Sequence, residues 1–127
     1  MMLSMIPTKR FLTFLSAAAL ALAPATAFSA TATVKARTSS WSPARMTIER
    51  GDTVKWENAA GGFQAQDHTV KSYGGNWSKN TALSVGASTT KRFTDTGRFK
   101  YRCEVHSVMS SGVCDGMCGA VKVVRPT

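Results

Sequence analysis

Gly97-Arg98-Phe99-Lys100-Tyr101-Arg102-Cys103-Glu104-Val105-His106, resuming at Met117-Cys118-Gly119-Ala120-Val121-Lys122-Val123, is the stretch that decides how this chain is read. Phe99, Tyr101 and Cys103 alternate with Arg98, Lys100 and Arg102. A period of two in apolar and charged residues predicts an extended strand with one buried and one solvated face. The Cys103 thiol then stands at the end of that strand, with the His106 imidazole on the loop beyond it. Residues 120–124 supply one more strand and close the domain.

The same period recurs upstream. Residues 32–37, 46–49, 53–57, 68–72 and 88–93 read as short strands, with Val54 and Trp56 on one face and Lys55 and Glu57 on the other. Arg50-Gly51-Asp52 and Thr94-Asp95-Thr96-Gly97 read as turns, residues 59–62 as a loop, and residues 73–84, rich in Gly, Asn, Ser and Thr, as an irregular excursion. No segment offers an amphipathic helix of useful length. Short strands at this spacing predict an all-β domain, a sandwich or a barrel.

At 127 residues the chain has room for one domain. Its start is a different kind of sequence. Lys9-Arg10 precede an apolar run over residues 11–23, and Ala25-Thr26-Ala27 and Ala27-Phe28-Ser29 both fit a small-x-small cleavage site. This is the pattern of a secretory signal peptide and is too short to span a bilayer comfortably. Residues 1–29 are therefore expected to be a signal peptide, cleaved between about 27 and 32, with residues 30–127 as the folded domain. The expected location is exported, either periplasmic or at the cell surface and beyond. With 16 Lys+Arg against 7 Asp+Glu the chain is basic, and without Lys9 and Arg10 the net charge is still about +7. A basic surface predicts an acidic partner; the cations are scattered along strands, which argues against nucleic acid.

The cysteine count is odd. Cys114 and Cys118, four apart, can close a small ring, and Cys103 is left over. In an oxidising compartment a lone thiol persists as a metal ligand or as a buried, inert group. The chain has two histidines, His68 and His106. One thiolate, two imidazoles and a weakly held thioether are the donors of a blue-copper site, whereas a structural zinc site more often uses two or more thiolates.

Four motifs carry a family resemblance: Gly51-Asp52-Thr53-Val54-x-Trp56-x-Asn58, then Asp67-His68-Thr69-Val70, then Gly97-x-Phe99-x-Tyr101-x-Cys103-x-x-His106, then Met117-x-Gly119-x-Val121-x-Val123. In this order the chain resembles the cupredoxins, the blue type 1 copper proteins of plastocyanin, pseudoazurin and amicyanin type. The resemblance implies a Greek-key β-sandwich holding one copper ion that cycles between Cu(I) and Cu(II), with His68, Cys103, His106 and a Met as ligands. His106 would be the more exposed imidazole and the route of electron transfer. Two residues compete for the axial place. Met109 has a short His-x-x-Met spacing; Met117 has the Met-x-Gly context that leads into the last strand, behind an insertion over residues 107–116. Met117 is the favoured ligand, since the strand after it fixes its direction, and a Cys114–Cys118 disulfide would pinch the insertion. Met109 stays as the alternative.

The function so implied is an exported, monomeric one-electron carrier and not an enzyme, docking transient redox partners through Val105, Val108 and Val113 around His106. Copper storage or delivery without a redox partner is the alternative. Two histidines are too few for a multicopper oxidase. Trp56, Phe93, Phe99 and Tyr101 read as core; Trp41 and Trp77 have room for partial exposure but read as packing. Asp67 and Glu104 flank the ligands and read as solvated carboxylates first and as neighbours of the site second; Thr69 and Asn58 are candidates for hydrogen bonds near it.

Overall fold

The computed structural model describes residues 28–59 and 65–127. The expected signal peptide lies outside the described residues except for Phe28 and Ser29, as does most of the loop at 59–62. Nine strands follow in order: β1 (Thr31–Ala36), β2 (Trp41–Ser42), β3 (Arg45–Glu49), β4 (Thr53–Glu57), β5 (His68–Tyr73), β6 (Asn80–Leu83), β7 (Ser88–Arg92), β8 (Gly97–Ser110) and β9 (Val113–Val124). Among the described residues no helix is long and apolar enough to cross a membrane.

The strands form a sandwich of two sheets, one ordered β2-β1-β4-β7 and the other β3-β9-β8-β5-β6. β1 runs parallel to β4 and β3 parallel to β9; the other neighbours are antiparallel. The alternation read from sequence is the alternation observed. Val54 and Trp56 of β4 and Phe99, Tyr101 and Cys103 of β8 point inward, joined by Val34, Ile48, Val70, Leu83, Val121 and Val123. Burial of these β-branched and aromatic faces is the main favourable term holding the sheets together.

One expectation is corrected. The excursion at 73–84 contains a strand, β6, whose residues pair with β5 from His68↔Leu83 to Lys71↔Asn80. Its polar composition reflects an edge strand with one solvated face. Trp41 is a packing residue, only 3% exposed, and its ring meets Tyr101 edge-on at 5.3 Å. The insertion at 107–116 is a β-hairpin: Ser107↔Gly116, Val108↔Asp115, Met109↔Cys114 and Ser110↔Val113 extend the β8–β9 ladder, and Ser111-Gly112 turn the corner. Both turn residues have positive φ, as a two-residue hairpin turn requires.

Candidate metal centre

The site is made by an irregularity in β8. Arg102 pairs with Cys118, and the next pair in register is Ser107 with Gly116. Residues 103–106 therefore stand opposite one residue of β9, Met117. In a regular strand, residues three apart point to opposite faces and could not share a ligand. The bulge removes that restriction and places Cys103 Sγ 3.4 Å from His106 Nδ1. The expectation that His106 lies on a loop is thus corrected: the strand continues through it to Ser110, and the bulge turns the imidazole inward. Gly116 permits the close crossing. Its φ is +103°, and a Cβ there would lie 2.4 Å from the His106 carbonyl oxygen.

His68 opens β5, adjacent to β8, and is buried. Its Nδ1 lies 3.6 Å from Cys103 Sγ and 3.2 Å from His106 Nδ1. The three donor atoms form a triangle whose edges match those of donors about 2.0–2.3 Å from a common centre at near-trigonal angles. Cys103 is buried and outside the disulfide, which joins Cys114 to Cys118. A soft sulfur and two imidazoles in a nearly planar set fit copper.

The free nitrogen of each ring is also spoken for. His106 Nε2–H donates to Gln66 Oε1 at 2.7 Å, and His68 bonds to the backbone of Arg37. Fixing the proton on the far nitrogen leaves the Nδ1 lone pair facing the triangle. Burial, with the His106 imidazole beside it, pushes His68 below the usual imidazole range, favouring the neutral form that can bind a metal. Gln66 was not singled out in the sequence. Its only signal is that it stands two residues before His68.

Met117 is fully buried opposite the bulge, and its carbonyl accepts a hydrogen bond from Trp41 Nε1 at 3.2 Å. Met109 lies farther along the hairpin, paired with Cys114 and half-buried. The two candidates are thus separated by position: Met117 faces residues 103–106, and Met109 is beyond them.

Polar contacts brace the surround. Glu104 N–H donates to Thr69 Oγ1, the Ser107 hydroxyl donates to the Cys103 carbonyl, and Arg102 Nη1 donates to that Ser107 hydroxyl. Asn58 Nδ2 donates to the carbonyls of Gln66 and Leu83, tying down the approach to His68. Thr69 and Asn58 therefore support the site as expected. Asp67 accepts from Val85 N–H while its charge acts on His68, and Glu104 pairs with Lys71 at 2.9 Å; neither carboxylate joins the donor cluster.

No protein-family model matches the chain. Solved structures do resemble it. A copper-containing nitrite reductase from Thermus scotoductus SA-01 superposes on 76% of this chain at 23% identity with a TM-score of 0.58, the chain spanning 23% of that enzyme. A variant of amicyanin in its reduced state covers 74% of this chain and 82% of its own at 23% identity and the same TM-score. A purple cupredoxin from Nitrosopumilus maritimus covers 73% and 99% at 21% identity with a TM-score of 0.53. The chain shares the fold of these copper proteins, and its His68–Cys103–His106 triangle is a donor set suited to one type 1 copper ion.

Proposed function

We propose that this protein is an exported one-electron carrier whose copper is held by His68, Cys103 and His106, with Met117 as the axial ligand. The observation that carries the reading is the donor triangle, 3.2–3.6 Å on a side, built on an exposed rim beside a buried thiol. Bound there, copper supplies a one-electron couple. The chain's own part is to hold the donors still. The bulge, the Gln66 and Arg37 hydrogen bonds and the Trp41 contact fix them before any metal arrives, so little rearranges when charge changes. Tyr101 and Trp41 pack under the site and exclude water from it.

His106 is the half-buried member of the set, and Val105, Val108 and Val113 beside it are 70%, 68% and 67% exposed. Exposed valines at a redox-active edge suit the small, transient encounters of electron carriers. A fourth donor opposite the bulge leaves no open position for substrate, which supports a carrier over a catalyst. Export rests on the leader pattern in residues 1–29.

The test is addition of Cu(II) to the purified domain and to its Met117→Ala and Met109→Ala variants. An intense visible thiolate-to-copper band is expected in the wild type, with a shifted band and potential in the Met117 variant and little change in the Met109 variant. Absence of the band sinks the copper reading; a shift confined to the Met109 variant reassigns the axial ligand. Rapid copper loss without electron exchange would favour storage or delivery.

A further inference from the structure

The outer faces of the two sheets carry charge in different ways. On the four-stranded sheet, Lys35 lies directly across from Glu57, and Lys55 pairs with Glu57 at 3.6 Å. On the five-stranded sheet the facing residues are alike in sign. Arg98 is paired with Lys122, and Lys71 with Arg102. Arg45 and Lys100 flank Ala120 in one row, about 10 Å apart at the ordinary strand spacing. Directly opposed like charges destabilise a sheet. Among the described residues only Lys71 of these six cations has an ion-pair partner, Glu104. Glu49, at the far end of β3, is the other carboxylate on this side. A sequence that keeps two unfavourable cross-strand pairs and leaves five cations unneutralised has a local conflict that folding does not explain.

We infer that this face is the docking surface for an acidic protein, distinct from the valine rim around His106. The inference rests on the electron-carrier reading and names the surface its partner uses. Arg45, Arg98 and Lys122 line a shallow recess together with Met46, Thr47 and Ala120, and their three charges suit a protruding carboxylate. The cationic rows run along β8 from Arg98 to Arg102, the chain neighbour of Cys103, so one strand joins this face to the thiol. The face favours protein over lipid. The exposed large apolar residues among those described, Phe28, Val85, Val105, Val108 and Val113, all lie elsewhere, so nothing on it would enter a bilayer.

Two readouts test this. The first is independent of bound metal: hexacyanochromate(III), a paramagnetic and redox-inert trianion, is titrated into the labelled protein, and amide broadening is mapped. Broadening centred on Arg45, Arg98, Lys100 and Lys122 is expected; broadening centred on Val105–His106 or spread evenly overturns the inference. The second is voltammetry of the copper-loaded protein on carboxylate-terminated and methyl-terminated monolayers. Arg98→Glu with Lys122→Glu should lower the response on carboxylate about tenfold or more and leave that on methyl unchanged, while Val105→Ser with Val108→Ser should do the reverse. Equal loss on both surfaces, or none on carboxylate, refutes the assignment. Binding to phosphatidylglycerol vesicles as strong as to the carboxylate surface assigns the face to lipid instead. No voltammetric response on either surface means that the carrier reading has failed, and the broadening map then shows whether the face still gathers anions.

Discussion

Gly119→Ala is the most demanding test of the packing beneath the metal centre. Gly119 pairs with Tyr101 across β8 and β9, and it lacks positive φ, so its need for glycine is steric and not conformational. A Cβ at this position would lie 2.3 Å from Tyr101 Cζ, 2.5 Å from its hydroxyl oxygen and 2.6 Å from Cε2. To reach ordinary contact the ring would have to retreat by about 1 Å. It has nowhere to go: Tyr101 is fully buried, with Trp41 and Trp56 edge-on at 5.3 and 5.2 Å. Overpacking of this kind costs about 1–3 kcal/mol, and the two indoles against the ring place this case near the upper end. The urea midpoint of the metal-free domain should fall accordingly. Tyr101→Leu alone should cost about 2–4 kcal/mol by leaving a cavity. The double variant should cost less than the two together by at least about 1 kcal/mol, because the leucine gives the new methyl its space. A Gly119→Ala protein within about 0.5 kcal/mol of wild type, or strictly additive costs, would refute the reasoning.

Three further outcomes follow from the same geometry. Trp41→Phe removes the buried N–H that Met117's carbonyl accepts; a loss of about 1–2 kcal/mol is expected, with a shifted thiolate-to-copper band if Trp41 positions Met117. Replacing Cys114 and Cys118 together by Ser opens a very short ring, so the domain should lose about 2 kcal/mol or less, with faster amide exchange in the hairpin and an unchanged copper band. Tyr101 concerns pH. Its hydroxyl and the Trp56 indole N–H are buried without a well-formed hydrogen bond, and burial pushes the phenol well above its usual range. An acid whose folded pKa is raised contributes stability below its unfolded pKa of about 10 and loses it as pH rises beyond that, by about 1.4 kcal/mol per pH unit. Tyr101→Phe should therefore be close to wild type in stability at neutral pH and gain on it above about pH 10 in urea midpoints; equal slopes for the two proteins would show that Tyr101 ionises while folded.

The site shows how far side-chain chemistry carries. His68, Cys103 and His106 were identifiable because each is scarce: two imidazoles and one unpaired thiol are all the chain offers. Their convergence was not. A Cys and a His three apart on an alternating strand should diverge, and the sequence has no mark for a bulge in which four residues face one. Gln66 was invisible for a related reason, since an exposed amide becomes informative only when a fold turns it toward His106 Nε2.

Local pattern determined the strands, their inward faces and the identity of the donors, because alternation and residue chemistry act over a few neighbours. Arg98-x-Lys100-x-Arg102 was legible as an outward row for the same reason. Tertiary structure alone decided which rows lie side by side, putting Arg98 against Lys122 and Lys71 against Arg102. It also set the two methionines apart: Met117 and Met109 are chemically identical, and only the register of β8 against β9 puts one opposite the bulge and the other out along the hairpin. Register depends on contacts between segments distant in sequence, and those form only when the sheet does.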